Sequence, residues 1–99
     1  MVINSSIKGI LTSPIYKFIK ETPIKKSSIL SKCFNVYYKR EELNPLFSFK
    51  IRGACNKILS LSDDNIKKGI ITCSSGNHAQ GVAYISNILN INSKIIMPT

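Results

Sequence analysis

Several features that would assign a class at once are missing from this sequence. No apolar run approaches the length of a membrane span, so these 99 residues hold no spanning helix. There is one histidine, His78, and the three cysteines, Cys33, Cys55 and Cys73, show no CxxC spacing. A histidine pair or a CxxC zinc site is thereby excluded, and an odd cysteine count does not make a disulfide framework. The cysteines point to a reducing intracellular compartment, the cytoplasm with an organelle left open. Neither GxGxxG nor GxxxxGK[ST] occurs, so the nucleotide fingerprints do not apply. Acids are scarce: 5 Asp and Glu face 14 Lys and Arg, a formal net charge of +9. Such a balance can mark a nucleic-acid or anionic-membrane partner. Here the basic residues are scattered, with short pairs such as Lys25-Lys26 and Lys67-Lys68 and no arginine-rich tract. A solvated lysine-rich surface accounts for that pattern, and neither nucleic acid nor membrane is expected as a partner.

What is present suits one small folded unit, since 43% of the residues are apolar. The first twenty residues have three lysines and no acid, a trait of transit peptides, but almost no arginine; folded structure is the expectation. Ile7, Ile10 and Leu11 fall at helical spacing, and Ser13-Pro14 can start a second helix reaching about Lys20, ended by Thr22-Pro23. Residues 27–32 read as a further short helix and residues 35–41, NVYYKRE, as a strand. Asn44-Pro45 is a turn. From Ser48 as cap, Ile51, Ala54, Cys55, Ile58, Leu59 and Leu61 keep a helical stripe, and residues 63–65 read as loop. Residues 69–73 and 94–97 read as short buried strands around a helix from His78 to about Leu89. Residues 69–97 thus form one βαβ unit with strands apolar throughout, as in a parallel sheet covered on both faces. The fold class is α/β. Cys73 reads as a small buried residue at a strand end.

Between strand and second helix lies CSSGNHAQG, residues 73–81. In a parallel sheet, ligands sit at the carboxyl ends of strands. The first N–H groups of the following helix lack partners within it, and its dipole is positive there, which together favour an anion. Ser74, Ser75 and Asn77 add side-chain donors, and Gly76 lets a ligand approach the backbone. A carboxylate or a phosphate fits. The same residues also cap helices without binding anything, and a lone His78 is structural as readily as catalytic. A second candidate stretch is FSFKIRGA, residues 47–54, with Lys50 in the first turn of a helix behind Phe47 and Phe49. Aromatic surroundings and a helix N-terminus both disfavour a charged amine, which suits Schiff-base chemistry. An ordinary exposed lysine is the alternative, and Arg52 reads as a surface or supporting charge.

Taken jointly, YYKREELNPLFSFKIRGACNKI, GIITCSSGNHAQGVAYISNIL and KIIMPT closely resemble the threonine dehydratases (threonine deaminases), fold-type II enzymes that use pyridoxal 5′-phosphate. The likeness runs from about residue 7 to the end. It implies a tryptophan synthase β-like fold, with residues 1–99 the N-terminal part of the catalytic domain. By position, Lys50 matches the lysine that carries the cofactor and acts as base at Cα, and Phe49 the residue beside the cofactor ring. Asn77 matches the asparagine that hydrogen-bonds the pyridoxal 3-hydroxyl. Ser74, Ser75, Gly76, Asn77 and His78 match the loop that grips the substrate α-carboxylate. The implied reaction converts L-threonine to 2-oxobutanoate and ammonia, a step toward isoleucine, and full-length members are homo-oligomers. Serine dehydratase and serine racemase share both motifs. Ser75 stands where racemases use a serine as second acid/base group, and Glu42 replaces the family's usual aspartate.

The family's enzymes are several times longer, and their glycine-rich phosphate loop comes later; no GGGxG occurs here. The expectation is an incomplete domain, a fragment or truncated copy with exposed strand edges, weak cofactor binding and little catalysis of its own. A non-enzymatic remnant pairing with a longer subunit, and a small basic binding module, are the two other classes.

Overall fold

The computed structural model describes the backbone of residues 2–98 and the side chains of residues 6–98. Helix α1 (Val2–Leu11) opens the chain. Its expected stripe exists, but Ile7, Ile10 and Leu11 are exposed, so no described residue buries them. The proline-led segment is a 3₁₀ turn, Pro14–Lys17, rather than a helix to Lys20. Ser13 caps it as expected, its Oγ accepting from the Ile15 N–H, and its hydroxyl donates to Asn56 Oδ1 at 3.0 Å.

Strand β1 (Ile24–Lys26) has no counterpart in the sequence reading. It pairs antiparallel with β2 (Tyr37–Lys39), Lys25 opposite Tyr38. Pairing supplies what the IKK sequence lacks in alternation, a tertiary effect that outweighs local preference. Of residues 27–32 only Leu30–Lys32 is helical, as a 3₁₀ turn. A similar turn, Glu41–Leu43, follows β2.

Helix α2 (Lys50–Leu59) buries Ile51, Ala54, Cys55 and Ile58 of the expected stripe, while Leu59 is half-buried and Leu61 lies beyond the helix. The Ser48 Oγ accepts from the Lys50 N–H at 3.2 Å, so Ser48 supports the helix start from one residue before the N-cap position, Phe49. Residues 63–65, expected as loop, lie in a short helix α3 (Asp63–Lys67). Ser62 precedes it, Asp63 and Asp64 fill its first turn and Lys67 its last, an order that suits the helix dipole.

Strands β3 (Ile70–Cys73) and β4 (Ser93–Ile96) pair in parallel, Ile70 opposite Ser93 and Cys73 opposite Ile96, with α4 (Asn77–Ile88) between them in sequence. This is the βαβ unit. The strands are not buried on both faces, however: burial alternates along each, and Ile71 is 67% exposed. With two strands and α4 on one face, the two-residue period decides which side chains are covered. Cys73 falls on the open side and is exposed, not buried.

The core forms where α4 packs on α2. Val82 and Ile85 meet Ile51, Ala54, Cys55 and Ile58, and Ile15 and Ile19 close one end. The Cα radius of gyration, 16.4 Å, exceeds the roughly 13 Å of a compact chain of 100 residues. Phe34, Phe47 and Ile71 stay largely exposed, so these residues do not cover all of their own apolar surface.

Candidate functional site

Lys50 is the first residue of α2 and is exposed. Its Nζ lies 5.6 Å from the centroid of the Phe49 ring, within cation–π range. The aromatic enclosure expected from FSFK is not formed by this chain: Phe49 is 61% exposed and Phe47 79%. Phe47 instead turns the backbone at φ 53°, the left-handed region, its N–H donating to the Asn44 carbonyl at 2.8 Å.

The second stretch lies at the carboxyl end of β3. Ser74 is tied to the sheet, its N–H donating to the Ile96 carbonyl at 3.0 Å. Its Oγ accepts from the Ala79 N–H at 3.3 Å and the Gly76 N–H at 3.4 Å. Ser74 therefore caps α4, the role that the plain helix-capping reading gave this run. Ser75, Gly76, Asn77 and His78 are exposed, and the side chains of Ser75, Asn77 and His78 take no hydrogen-bond partner among the described residues. A Cβ at Gly76 would meet no atom within 4 Å, so internal packing does not demand glycine there and the backbone is open to approach. His78 borders a groove of about 370 Å³ with Thr72, Val82 and Ile58.

One contact joins the two stretches. Gly81, buried on α4, faces the first turn of α2; a Cβ there would stand 3.4 Å from the Lys50 carbonyl oxygen and 3.2 Å from the Ala54 Cβ. Asn77 lies one turn before Gly81 on the same face of α4. The lysine-bearing turn and the anion-suited turn thus belong to one closely packed helix pair.

A polar network missed at the sequence level surrounds the same turn. Arg52 donates to Glu41 through Nε to Oε2 at 2.7 Å and through Nη2 to Oε1 at 3.1 Å. Thr22 donates its hydroxyl to Glu41 Oε1. Asn44 Nδ2 donates to Glu41 Oε2 at 2.7 Å and to the Glu41 carbonyl at 3.0 Å. Arg52 also reaches the Lys20 carbonyl at 3.3 Å. Thr22, Asn44 and Ser48 are buried. The Arg52 hydrogen bond, opposed by burial and aided by Thr22 and Asn44, lowers the Glu41 carboxyl from 4.5 to about 2. Arg52 is thus a structural charge, as expected, whereas Thr22 and Asn44, read as helix stop and turn, are buried members of its network. Only the Glu/Arg pairing carried a signal, and eleven residues separate the two.

Could pyridoxal phosphate be held here? The donor set fits: a primary amine on an exposed lysine, an aromatic ring next to it, and an open loop of hydroxyl, amide and backbone donors on the neighbouring helix. Among the described residues no group of three His, Cys, Asp or Glu side chains could hold a metal ion.

Comparison with known proteins shows a family whose cofactor is pyridoxal phosphate. A family model described as pyridoxal-phosphate dependent enzyme matches residues 15–99. The mitochondrial threonine dehydratase of Schizosaccharomyces pombe is 53% identical over 90 residues, which cover 89% of this chain and 15% of that protein. Among solved structures, the processed form of threonine deaminase isoform 2 from Solanum lycopersicum aligns with a TM-score of 0.90 at 44% identity, covering 99% of this chain and 28% of that one. Maize serine racemase aligns with a TM-score of 0.85 at 33% identity, covering 95% and 30%. The chain therefore spans less than a sixth of the curated relative it matches at 53% identity.

Proposed function

The chain belongs to the pyridoxal-phosphate dependent enzyme family, and from that premise we propose that it is the N-terminal part of a catalytic domain that deaminates L-threonine to 2-oxobutanoate and ammonia. The observation that carries this reading is the Gly81 contact, which brings the Lys50 turn against the helix that begins at Asn77.

In this reading Lys50 would hold the cofactor through its amine, with Phe49 and the Asn77 amide as its neighbouring aromatic and hydrogen-bonding contacts. When bound, pyridoxal phosphate supplies an electron sink for charge developing at the amino acid's Cα. The chain's own residues do the rest. Ser75, Gly76, Asn77 and His78 receive the substrate carboxylate at the N-terminus of α4, where partial positive charge favours it. Ser74 supports that loop as cap and can still donate its hydroxyl hydrogen. Lys50 Nζ, freed when the substrate amine takes its place, takes the proton from Cα, and loss of the β-hydroxyl as water completes the elimination. The conversion balances: threonine loses ammonia and keeps its oxygen count after hydrolysis of the released enamine. The 99 residues lack a glycine-rich phosphate loop, so we expect weak cofactor binding and little turnover from the chain alone.

A second reading, racemisation or dehydration of serine, rests on Ser75, which is exposed and takes no side-chain partner among the described residues. Its hydroxyl could serve as the acid/base group on the face opposite Lys50. In either reading the substrate is a small amino acid, and the free thiols suit a reducing compartment, cytoplasmic or organellar.

The test is chemical labelling. Pyridoxal phosphate is added to the purified chain, the product is reduced with borohydride, and the adduct is mapped by mass spectrometry. An adduct concentrated at Lys50 supports the reading. Labelling spread evenly over the lysines would sink it.

A further inference from the structure

We propose that Glu41 and Arg52 form a positioning pair that sets the direction of the Lys50 amine. The inference rests on the reading of Lys50 as the cofactor lysine.

Two lines of contact converge on the first turn of α2. One runs from Thr22 through the Glu41 carboxylate to Arg52, two residues beyond Lys50. The other runs from Asn44, bonded to the same carboxylate, to the Ser48 carbonyl at 3.5 Å, and the Ser48 Oγ then accepts from the Lys50 N–H at 3.2 Å. One carboxylate therefore ties residues 48–52 directly at Arg52 and, through Asn44, at Ser48. Its four oxygen contacts come from three different segments of the chain.

The need for such a device follows from burial. Lys50 has no covering layer of its own, because the Phe47 and Phe49 rings are mostly exposed. Packing on α4 holds α2 at the Lys50 carbonyl, Ile51 and Ala54, all on the Gly81 side, and leaves the Lys50 side chain uncovered. A flexible amine at a helix start is placed by its backbone, and here the arginine fork adds to the hold that Gly81 and Ser48 have on it. Two parallel N–H···O bonds define an orientation as well as a distance. A misplacement of about 1 Å can reduce reaction at a positioned group a hundredfold. Neither Glu41 nor Arg52 touches the reacting atoms in this role.

The experiment uses the 99-residue chain and pyridoxal phosphate as probe, with borohydride trapping, in the wild type, Glu41→Gln and Arg52→Lys. Arg52→Lys keeps the charge and removes the fork. The readout is the share of adduct at Lys50 relative to Lys57 and Lys20, with helix content followed by circular dichroism. Selectivity is a ratio within one molecule, so a general loss of stability with helix content retained does not move it. We expect Lys50 selectivity to fall about tenfold in both variants at unchanged helix content. Glu41→Asp, which restores the carboxylate, should recover part of it. Unchanged selectivity in folded variants overturns the positioning role while leaving the Lys50 reading intact. Unfolding of both variants would assign the pair to stability alone and also overturns it. Absence of selectivity in the wild type removes the Lys50 reading itself, and the positioning role with it.

Discussion

Gly81 and Lys50 sit on different helices, yet a Cβ placed on Gly81 would stand 3.4 Å from the Lys50 carbonyl oxygen. A methyl there would fit against that oxygen at ordinary contact distance and press only slightly on the Ala54 Cβ at 3.2 Å, so the helices leave space for little beyond a methyl. The candidate lysine and the candidate carboxylate loop owe their proximity to this contact.

Enlarging Gly81 should therefore push the helices apart. A leucine there would meet the Ala54 Cβ and the α2 backbone, and overpacking of this kind costs about 1–3 kcal/mol. Alanine should be near neutral, because its better helix propensity, about 1 kcal/mol, offsets a contact that yields by a few tenths of an ångström. Urea unfolding of Gly81→Ala and Gly81→Leu distinguishes the two, and only the leucine variant should also lose Lys50-selective labelling.

Phe47 is the opposite case, a bulky residue in a left-handed conformation, φ 53°, with its ring 79% exposed. The ring contributes little burial, while the conformation costs an L-residue about 1–2 kcal/mol. Phe47→Gly should stabilise the chain by about 0.5–1 kcal/mol after the extra chain entropy of glycine is subtracted. A midpoint in urea that falls instead of rising would show that the ring packs in solution.

Gly69 precedes β3 at φ 85°, and a Cβ there would lie 3.0 Å from the Asn92 carbonyl oxygen. That oxygen accepts the N–H of Ile70, the first bond between the two strands. Gly69→Ala should cost on the order of 1–3 kcal/mol, since both the φ and the contact oppose it. Calorimetry should show a lower melting temperature, and amide exchange at Ile70 should quicken.

Glu41 gives the chain a pH dependence of defined sign. Its folded carboxyl titrates at about 2 against an ordinary 4.5, chiefly through the Arg52 hydrogen bond. A depressed folded value means that the stabilisation is complete above about 4.5 and is lost as pH falls from 4.5 toward 2. The wild type should lose stability across that window more steeply than Glu41→Gln, which has no proton to take up. Equal slopes in acid unfolding would remove the Glu41–Arg52 pair from the account.

Much of the framework around the candidate site is legible in the chain itself. The α2 stripe, the capping by Ser13, the Ser48 support of the α2 start, and the strand–loop–helix order of residues 69–97 follow from spacing and from residues that prefer caps, both local properties. The two motifs carried the family resemblance, and the family match over residues 15–99 agrees with it. The α3 helix was misread because three polar residues, Asp63, Asp64 and Asn65, look like loop until Lys67 completes the turn. Strand β1 was invisible, since Ile24–Lys26 is strand only by virtue of β2.

By itself the sequence determined which helix and which loop carry the candidate groups, because helix starts, caps and apolar periods are written over spans of a few residues. Only the tertiary structure decided how these groups meet. Gly81 is one glycine among five until it lies against Lys50, and Glu41 one acid among five until Arg52, Thr22 and Asn44 close around it. It also decided that Ile71 and Cys73 face outward, because a strand's exposure depends on how many faces are covered, which no single strand encodes.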